Sequence, residues 1–169
     1  MCSITAILNA DAPADELRAT ALAISKRQRH RGPDWSGVFQ HERAVLAHER
    51  LAIVDVTSGA QPLLDPETGT ALAVNGEIYN HKQLRAQTTS FPYQTGSDCE
   101  VILSLYREHA SELAHHLEGM FAFVLYDVEN GTWLIGRDPI GIIPLYYGHT
   151  ADGALVVASE MKGIEPLCE

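Results

Sequence analysis

The stretch from Met120 to Arg137 constrains this chain most. Two apolar, strand-prone runs, 120–127 and 132–137, flank Glu129-Asn130-Gly131, a strong hairpin signal. That commits the last third of the chain to antiparallel sheet, which the short runs 145–147 and 154–158 continue. Near the start, residues 3–8 form another buried strand, and 36–40, 44–48, 51–54 and 71–74 add further strands. Helices fall between them. One follows Pro13 over 14–29, with Leu17, Ala21, Ile24 and Gln28 on one face. A short one covers 80–86. Another starts at Ser97-Asp98-Cys99-Glu100, which matches a capping box, and shows an apolar face of Val101, Ile102, Leu105 and Tyr106. A further short helix is expected over 112–117. Strands at both ends with helices among them indicate an α+β layered protein.

Composition removes several classes of function. A chain of 169 residues, 46% hydrophobic and 20% charged, suits one globular domain. The formal charge of −10 repels phosphate backbones, so no nucleic-acid partner is expected. The one basic cluster, Lys26 to Arg31, reads as a helix C-terminus complementing its dipole. Three cysteines without regular spacing argue against a disulfide framework and fit a reducing cytoplasm. The opening apolar run is too short for a leader, and nothing approaches a membrane span. His115 and His116 are adjacent and point apart on a helix, and the sequence has no ligand-pair spacing, so no metal is expected. Phosphate-cradling glycine loops are also missing, which leaves ATP and dinucleotides unsupported.

Three features could carry chemistry. If Met1 is removed, Cys2 has a free α-amine beside its thiol, so one residue supplies both nucleophile and base. By position alone Cys2 reads more readily as a small hydrophobe. Asn75-Gly76 offers a side-chain amide next to an unhindered backbone N–H, two donors that could converge on an oxyanion. As a bare dipeptide it is also a turn signal. Arg50 is suited to gripping a carboxylate, and Asp98 to holding an ammonium, as a free amino acid requires. Taken singly, each also reads as a surface or capping residue.

These features occur in order within longer motifs. Met1-Cys2-Ser3-Ile4 is followed by Arg29-His30-Arg31-Gly32-Pro33-Asp34-Trp35-Ser36-Gly37 and by Leu46-Ala47-His48-Glu49-Arg50-Leu51. Next come Val74-Asn75-Gly76-Glu77-Ile78-Tyr79-Asn80-His81 and Thr95-Gly96-Ser97-Asp98-Cys99-Glu100. Gly119-Met120-Phe121-Ala122-Phe123, Gly136-Arg137-Asp138 and Ser159-Glu160-Met161-Lys162 complete the series. Over essentially its whole length the chain resembles the glutaminase domain of class II glutamine amidotransferases. The segments around Asn75 and Asp98 resemble the asparagine synthetase branch more than the amidophosphoribosyltransferase or glucosamine-6-phosphate synthase branches.

The resemblance implies an N-terminal nucleophile hydrolase fold, an αββα four-layer sandwich of two antiparallel sheets. It also assigns roles. Cys2 would attack the carboxamide of L-glutamine, forming a γ-glutamyl thioester, while Asn75 and the Gly76 amide stabilise the oxyanion. Arg50 would bind the α-carboxylate, Asp98 with Glu77 the α-ammonium, and Ile53 and Val54 would complete the substrate-binding set. The ammonia released would serve asparagine synthesis from aspartate in a synthetase domain or subunit. ATP and magnesium belong to that partner, leaving this chain without a cofactor of its own; a homodimer is a further expectation.

Two departures stand out. Position 6 is Ala where the family usually has Gly, which could crowd the pocket. The chain also stops at Glu169, so residues 2–169 are expected to form a glutaminase domain without the last family strands or the synthetase domain and its pyrophosphatase loop. Two other readings remain at this level: a glutaminase serving a different acceptor, and a silent domain that binds a partner without hydrolysing glutamine.

Overall fold

The structure, a computed structural model, describes residues 1–55 and 57–168. The expected boundary at Glu169 lies outside them. Nine strands are laid out as β1 Ser3–Leu8, β2 Trp35–His41, β3 Ala44–Arg50, β4 Leu63–Leu64, β5 Ala71–Ile78, β6 Gly119–Asp127, β7 Thr132–Arg137, β8 Tyr146–His149 and β9 Leu155–Ala158. The α-helices are α1 Ala14–Arg27, α2 His81–Gln87, α3 Val101–His109 and α4 Met161–Ile164, with 3-10 turns at Arg29–Arg31, Asp98–Glu100 and Ala110–His116. Two sheets result, in the orders β2-β3-β1-β9-β8 and β4-β5-β6-β7, and every pairing is antiparallel.

Side-chain alternation along the strands builds the layers. From β1, Ile4, Ala6 and Leu8 face the second sheet, where they meet Ala71, Ala73, Val124 and Tyr126. Ile7, from the opposite face of β1, packs with Leu17, Ala21 and Ile24 of α1 and Ile164 of α4. On the far side of the second sheet, Leu72, Val74, Phe121, Phe123 and Leu125 pack against Leu84, Ile102 and Leu105 of α2 and α3. Three apolar layers therefore separate four structural ones, the αββα arrangement that the resemblance implies.

Local expectations changed in four places. Residues 51–54 form a loop because their amides are drawn elsewhere: Leu51 N–H donates to the Cys2 sulfur and Ala52 N–H to Asp34 Oδ2. Asn75-Gly76 is no turn. Strand β5 runs straight through it, pairing Asn75 with Ala122 and Gly76 with Phe121. Half of the capping box forms: Ser97 Oγ accepts from Cys99 N–H, whereas the Glu100 carboxylate goes to the amides of Gln94 and Thr95. Residues 110–116 wind as a 3-10 turn, and the short elements β4 and α4 carry too little pattern to be read from sequence.

Candidate active site

The site grows from a strand that loses its neighbour. β4 pairs with β5 only at Leu63↔Leu72 and Leu64↔Ala71. Beyond that point, among the described residues, one flank of β5 has no strand beside it, and alternate residues (Val74, Gly76 and Ile78) present their backbone groups to that open flank. Side chains fill most of the gap. Gln61 Oε1 accepts from Val74 N–H at 2.6 Å, and His48 Nε2 donates to Val74 O at 2.8 Å. Asp98 Oδ2 accepts from Ile78 N–H at 2.7 Å. Gly76 lies between these plugs, and the ladder's alternation turns its N–H toward the open flank, where a cavity lies. Only glycine fits here: φ is +149°, and an added Cβ would lie 2.1 Å from Met120 O. Next to it, Asn75 is 1% exposed, and neither its Nδ2 nor its Oδ1 has a hydrogen-bond partner among the described residues.

Cys2 lines the same cavity, immediately before β1. Its sulfur accepts from Leu51 N–H at 3.3 Å, and its carbonyl accepts from Arg31 Nε at 2.9 Å. Burial pushes the thiol pKa up, while the Leu51 amide, the N-terminal ammonium, Arg50 and Arg31 act in the opposite direction. Met1 lines the same cavity and is half-exposed.

The remaining sequence candidates meet at the same place. Cys2, Arg50, Ile53, Val54, Asn75, Gly76, Glu77 and Asp98 all line one cavity. Arg50, at the end of β3, is buried, and its Nη2 donates to Val54 O and Asp55 O, tying the loop that carries Ile53 and Val54 to the end of that strand. Asp55 fastens that loop in turn, accepting from Gly96 N–H at 2.8 Å. The arrangement pairs a buried guanidinium with the Asp98 and Glu77 carboxylates in one cavity, beside a thiol and an unpartnered amide. A zwitterionic amino acid with a reactive side chain matches that set.

The family model of the glutamine amidotransferase domain matches residues 1–169. The chain belongs to this family. It is 56% identical over 169 residues to asparagine synthetase B [glutamine-hydrolyzing] of Escherichia coli (strain K12), covering 99% of this chain and 30% of that protein. Asparagine synthetase [glutamine-hydrolyzing] 3 of Arabidopsis thaliana is 52% identical over 169 residues, covering 100% of this chain and 29% of its own length. The chain thus spans about a third of these relatives. Among solved structures, glutamine phosphoribosylpyrophosphate amidotransferase from B. subtilis superposes with a TM-score of 0.78. It covers 97% of this chain and 43% of that one at 24% identity, a likeness of fold alone.

Within this glutamine amidotransferase domain, the segment from Arg29 to Asp34 acts as a bracket around Cys2. Arg31 holds the Cys2 carbonyl and, with His30, pairs with Glu160. Gly32 lies so close to β3 that a Cβ would sit 2.2 Å from Glu49 O. Asp34 receives the Ala52 amide at 2.9 Å. Burial pushes the Glu160 carboxyl up, but Lys162, His30 and Arg31 together hold it down at about 2. Ala6 does not crowd the pocket: its side chain is fully buried between the sheets and is absent from the cavity wall. The sequence reading missed His48 and Gln61, whose importance depends on where β4 stops. Gly59, where a Cβ would come within 2.9 Å of Arg50 Nη2, was missed for a similar reason.

Among the described residues, no group of three or more His, Cys, Asp or Glu side chains could hold a metal ion. No helix of the described residues is long and apolar enough to cross a membrane.

Proposed function

We propose that this domain hydrolyses L-glutamine to glutamate and ammonia at Cys2, and that the ammonia serves asparagine synthesis from aspartate in a synthetase domain or subunit. One observation carries the reading. The buried Asn75 amide has no partner, and it shares a cavity with the Cys2 thiol and the open-flank N–H of Gly76. A buried amide left unsatisfied is costly, and a transient negatively charged oxygen is the partner that would satisfy it.

The chemistry follows from these positions. Once Met1 is removed, the α-amine of Cys2 takes the thiol proton and the sulfur attacks the glutamine carboxamide carbon. Asn75 Nδ2 and Gly76 N–H donate to the oxygen as it becomes negative. The α-ammonium returns its proton to the leaving nitrogen, so ammonia departs and a γ-glutamyl thioester remains on Cys2. Water then attacks the thioester, displacing the thiol and releasing glutamate. Arg50 grips the substrate α-carboxylate with the N–H groups not spent on the loop, and Asp98 and Glu77 face the α-ammonium. Ile53 and Val54 close over the bound molecule. No step needs a metal or cofactor of this chain; ATP and magnesium would act only where ammonia is consumed. The cytoplasm is the proposed location, supported by three free cysteines.

The test is glutamate release measured on chains whose intact mass shows Met1 gone, compared with Cys2→Ala and with unprocessed chains. Hydrolysis is expected in the processed Cys2 form alone. A processed, folded chain that releases no glutamate would refute the proposal. Asparagine formation is expected only when a synthetase partner, ATP and aspartate are added.

A further inference from the structure

We infer that His48, acting with Gln61, is a positioning residue for hydrolysis: the two grip Val74 and thereby aim the donors of Asn75 and Gly76. This rests on the oxyanion role proposed for those donors. The argument starts from the missing strand. A ladder partner normally fixes the direction of each peptide, and a strand that loses one is free to twist about its remaining neighbour. β5 loses β4 after Leu72, three residues before the side-chain amide of Asn75 and four before the N–H of Gly76, the two donors that must converge on one atom. At Val74 the lost partner is replaced on both groups, the N–H by Gln61 at 2.6 Å and the carbonyl by His48 at 2.8 Å.

The two grips come from different directions. His48 reaches across from β3 in the first sheet, and Gln61 comes from the loop before β4. The Val74 carbonyl belongs to the peptide unit that leads directly into Asn75, so holding it sets the plane on which the Asn75 side chain is mounted. His48 is 0% exposed and does not line the cavity. It cannot touch a substrate there, and any effect on hydrolysis must pass through β5. Nor does it act as a proton carrier: burial holds its pKa down to about 4, with Arg50 pushing the same way against the Val74 carbonyl. It stays neutral, its Nε2–H on Val74, and its Nδ1 has no partner. An oxyanion hole is effective only when its donors lie within hydrogen-bond reach of the developing charge, and small misplacements are expensive in rate.

The test uses the processed chain and four substitutions: His48→Leu, His48→Gln, Gln61→Met and Asn75→Ala. Each is assayed for kcat and KM with glutamine and for alkylation of Cys2 by iodoacetamide, a displacement at a saturated carbon that uses no oxyanion hole. His48→Leu and Gln61→Met are expected to lower kcat between about 10-fold and 100-fold while KM and the alkylation rate stay within about twofold. His48→Gln keeps an N–H near the same place and should recover most of the loss. In an Asn75→Ala background, His48→Leu should cost far less than in the parent. The inference is overturned if kcat is unchanged in His48→Leu and Gln61→Met. It is also overturned if kcat, KM and alkylation worsen together in proportion to the unfolded fraction, or if His48→Gln is no better than His48→Leu. Should His48→Leu fail to fold, His48→Phe, which keeps a ring of similar size and removes the donor to Val74 O, decides by the same criteria, since Gln61 lines the cavity itself. Asn75→Ala separates the two levels: a normal kcat there removes the oxyanion reading itself, whereas a fallen kcat beside an unaffected clamp removes only this inference.

Discussion

Asn75 and Gly76 share a proposed task but differ in what each contributes to stability. The Asn75 amide is buried without a partner, so deleting it removes an unsatisfied group and no native hydrogen bond. Asn75→Ala is therefore expected to leave urea stability unchanged or slightly raised while lowering kcat by about 10²–10³-fold, the usual cost of one oxyanion donor. Gly76→Ala should lose stability as well as activity. Its Cβ would collide with Met120 O on the paired strand, at a backbone angle that side chains avoid. We expect a loss of about 1–3 kcal/mol in a denaturant melt, with activity lost as well. For Arg50, the fork geometry matters more than the charge. Arg50→Lys keeps the cation but cannot hold the loop carbonyls and a carboxylate together, so KM for glutamine should rise at least about tenfold, with kcat less affected. These residues were legible in the sequence because each sits in an ordered motif. Asn75-Gly76 alone reads as a turn, and only the motif around it points to an oxyanion.

At the scale of elements, local pattern carried the long strands and failed where distant groups compete. Leu51, Ile53 and Val54 have the composition of a strand, yet Cys2 and Asp34 take the amides of Leu51 and Ala52. Likewise Glu100 stands at the capping-box spacing, but Gln94 and Thr95 claim its carboxylate. His48 was invisible because its task is set by the end of β4, which has no signature at position 48. The contact between β3 and β5 also has a pH dependence. The His48 imidazole is held near pKa 4 in the fold, first by burial, against about 6.5 when unfolded. Above 6.5 neither state binds the proton. Between 6.5 and 4 the unfolded chain takes it up and the folded chain does not, so stability is lost as pH is lowered through that window. The difference amounts to about 3 kcal/mol when complete. Urea melts of the parent and of His48→Gln across this range should diverge by about that amount; parallel curves would show that His48 does not titrate in this way.

The described residues stack in four layers, and the apolar layer between the two sheets is built partly from small side chains. Ala6, Ala44, Ala71 and Ala73, all fully buried between the sheets, hold them close enough for His48 to reach β5. Ala73→Leu would add bulk at this seam, with an expected destabilisation of about 1–3 kcal/mol. A larger share of activity should be lost than of folded protein, because spreading the sheets pulls His48 from Val74; glutamate release per folded molecule measures it. The α+β class was legible from strand and helix periodicity, and the layer order from the resemblance that the motifs carry. The alanine seam was not, since its spacing appears only once the strands are paired.

The early end of β4 has one more consequence. An exposed strand flank is a template on which another chain can add, the start of edge-to-edge aggregation. Here the flank of β5 is occupied by Gln61, His48 and Asp98 instead of by a strand. A substitution that empties those positions thus frees a sticky edge as well as loosening the site. Variants made to study the reaction should therefore be checked for self-association by light scattering, with Gln61→Met expected to be more prone to it than Asn75→Ala.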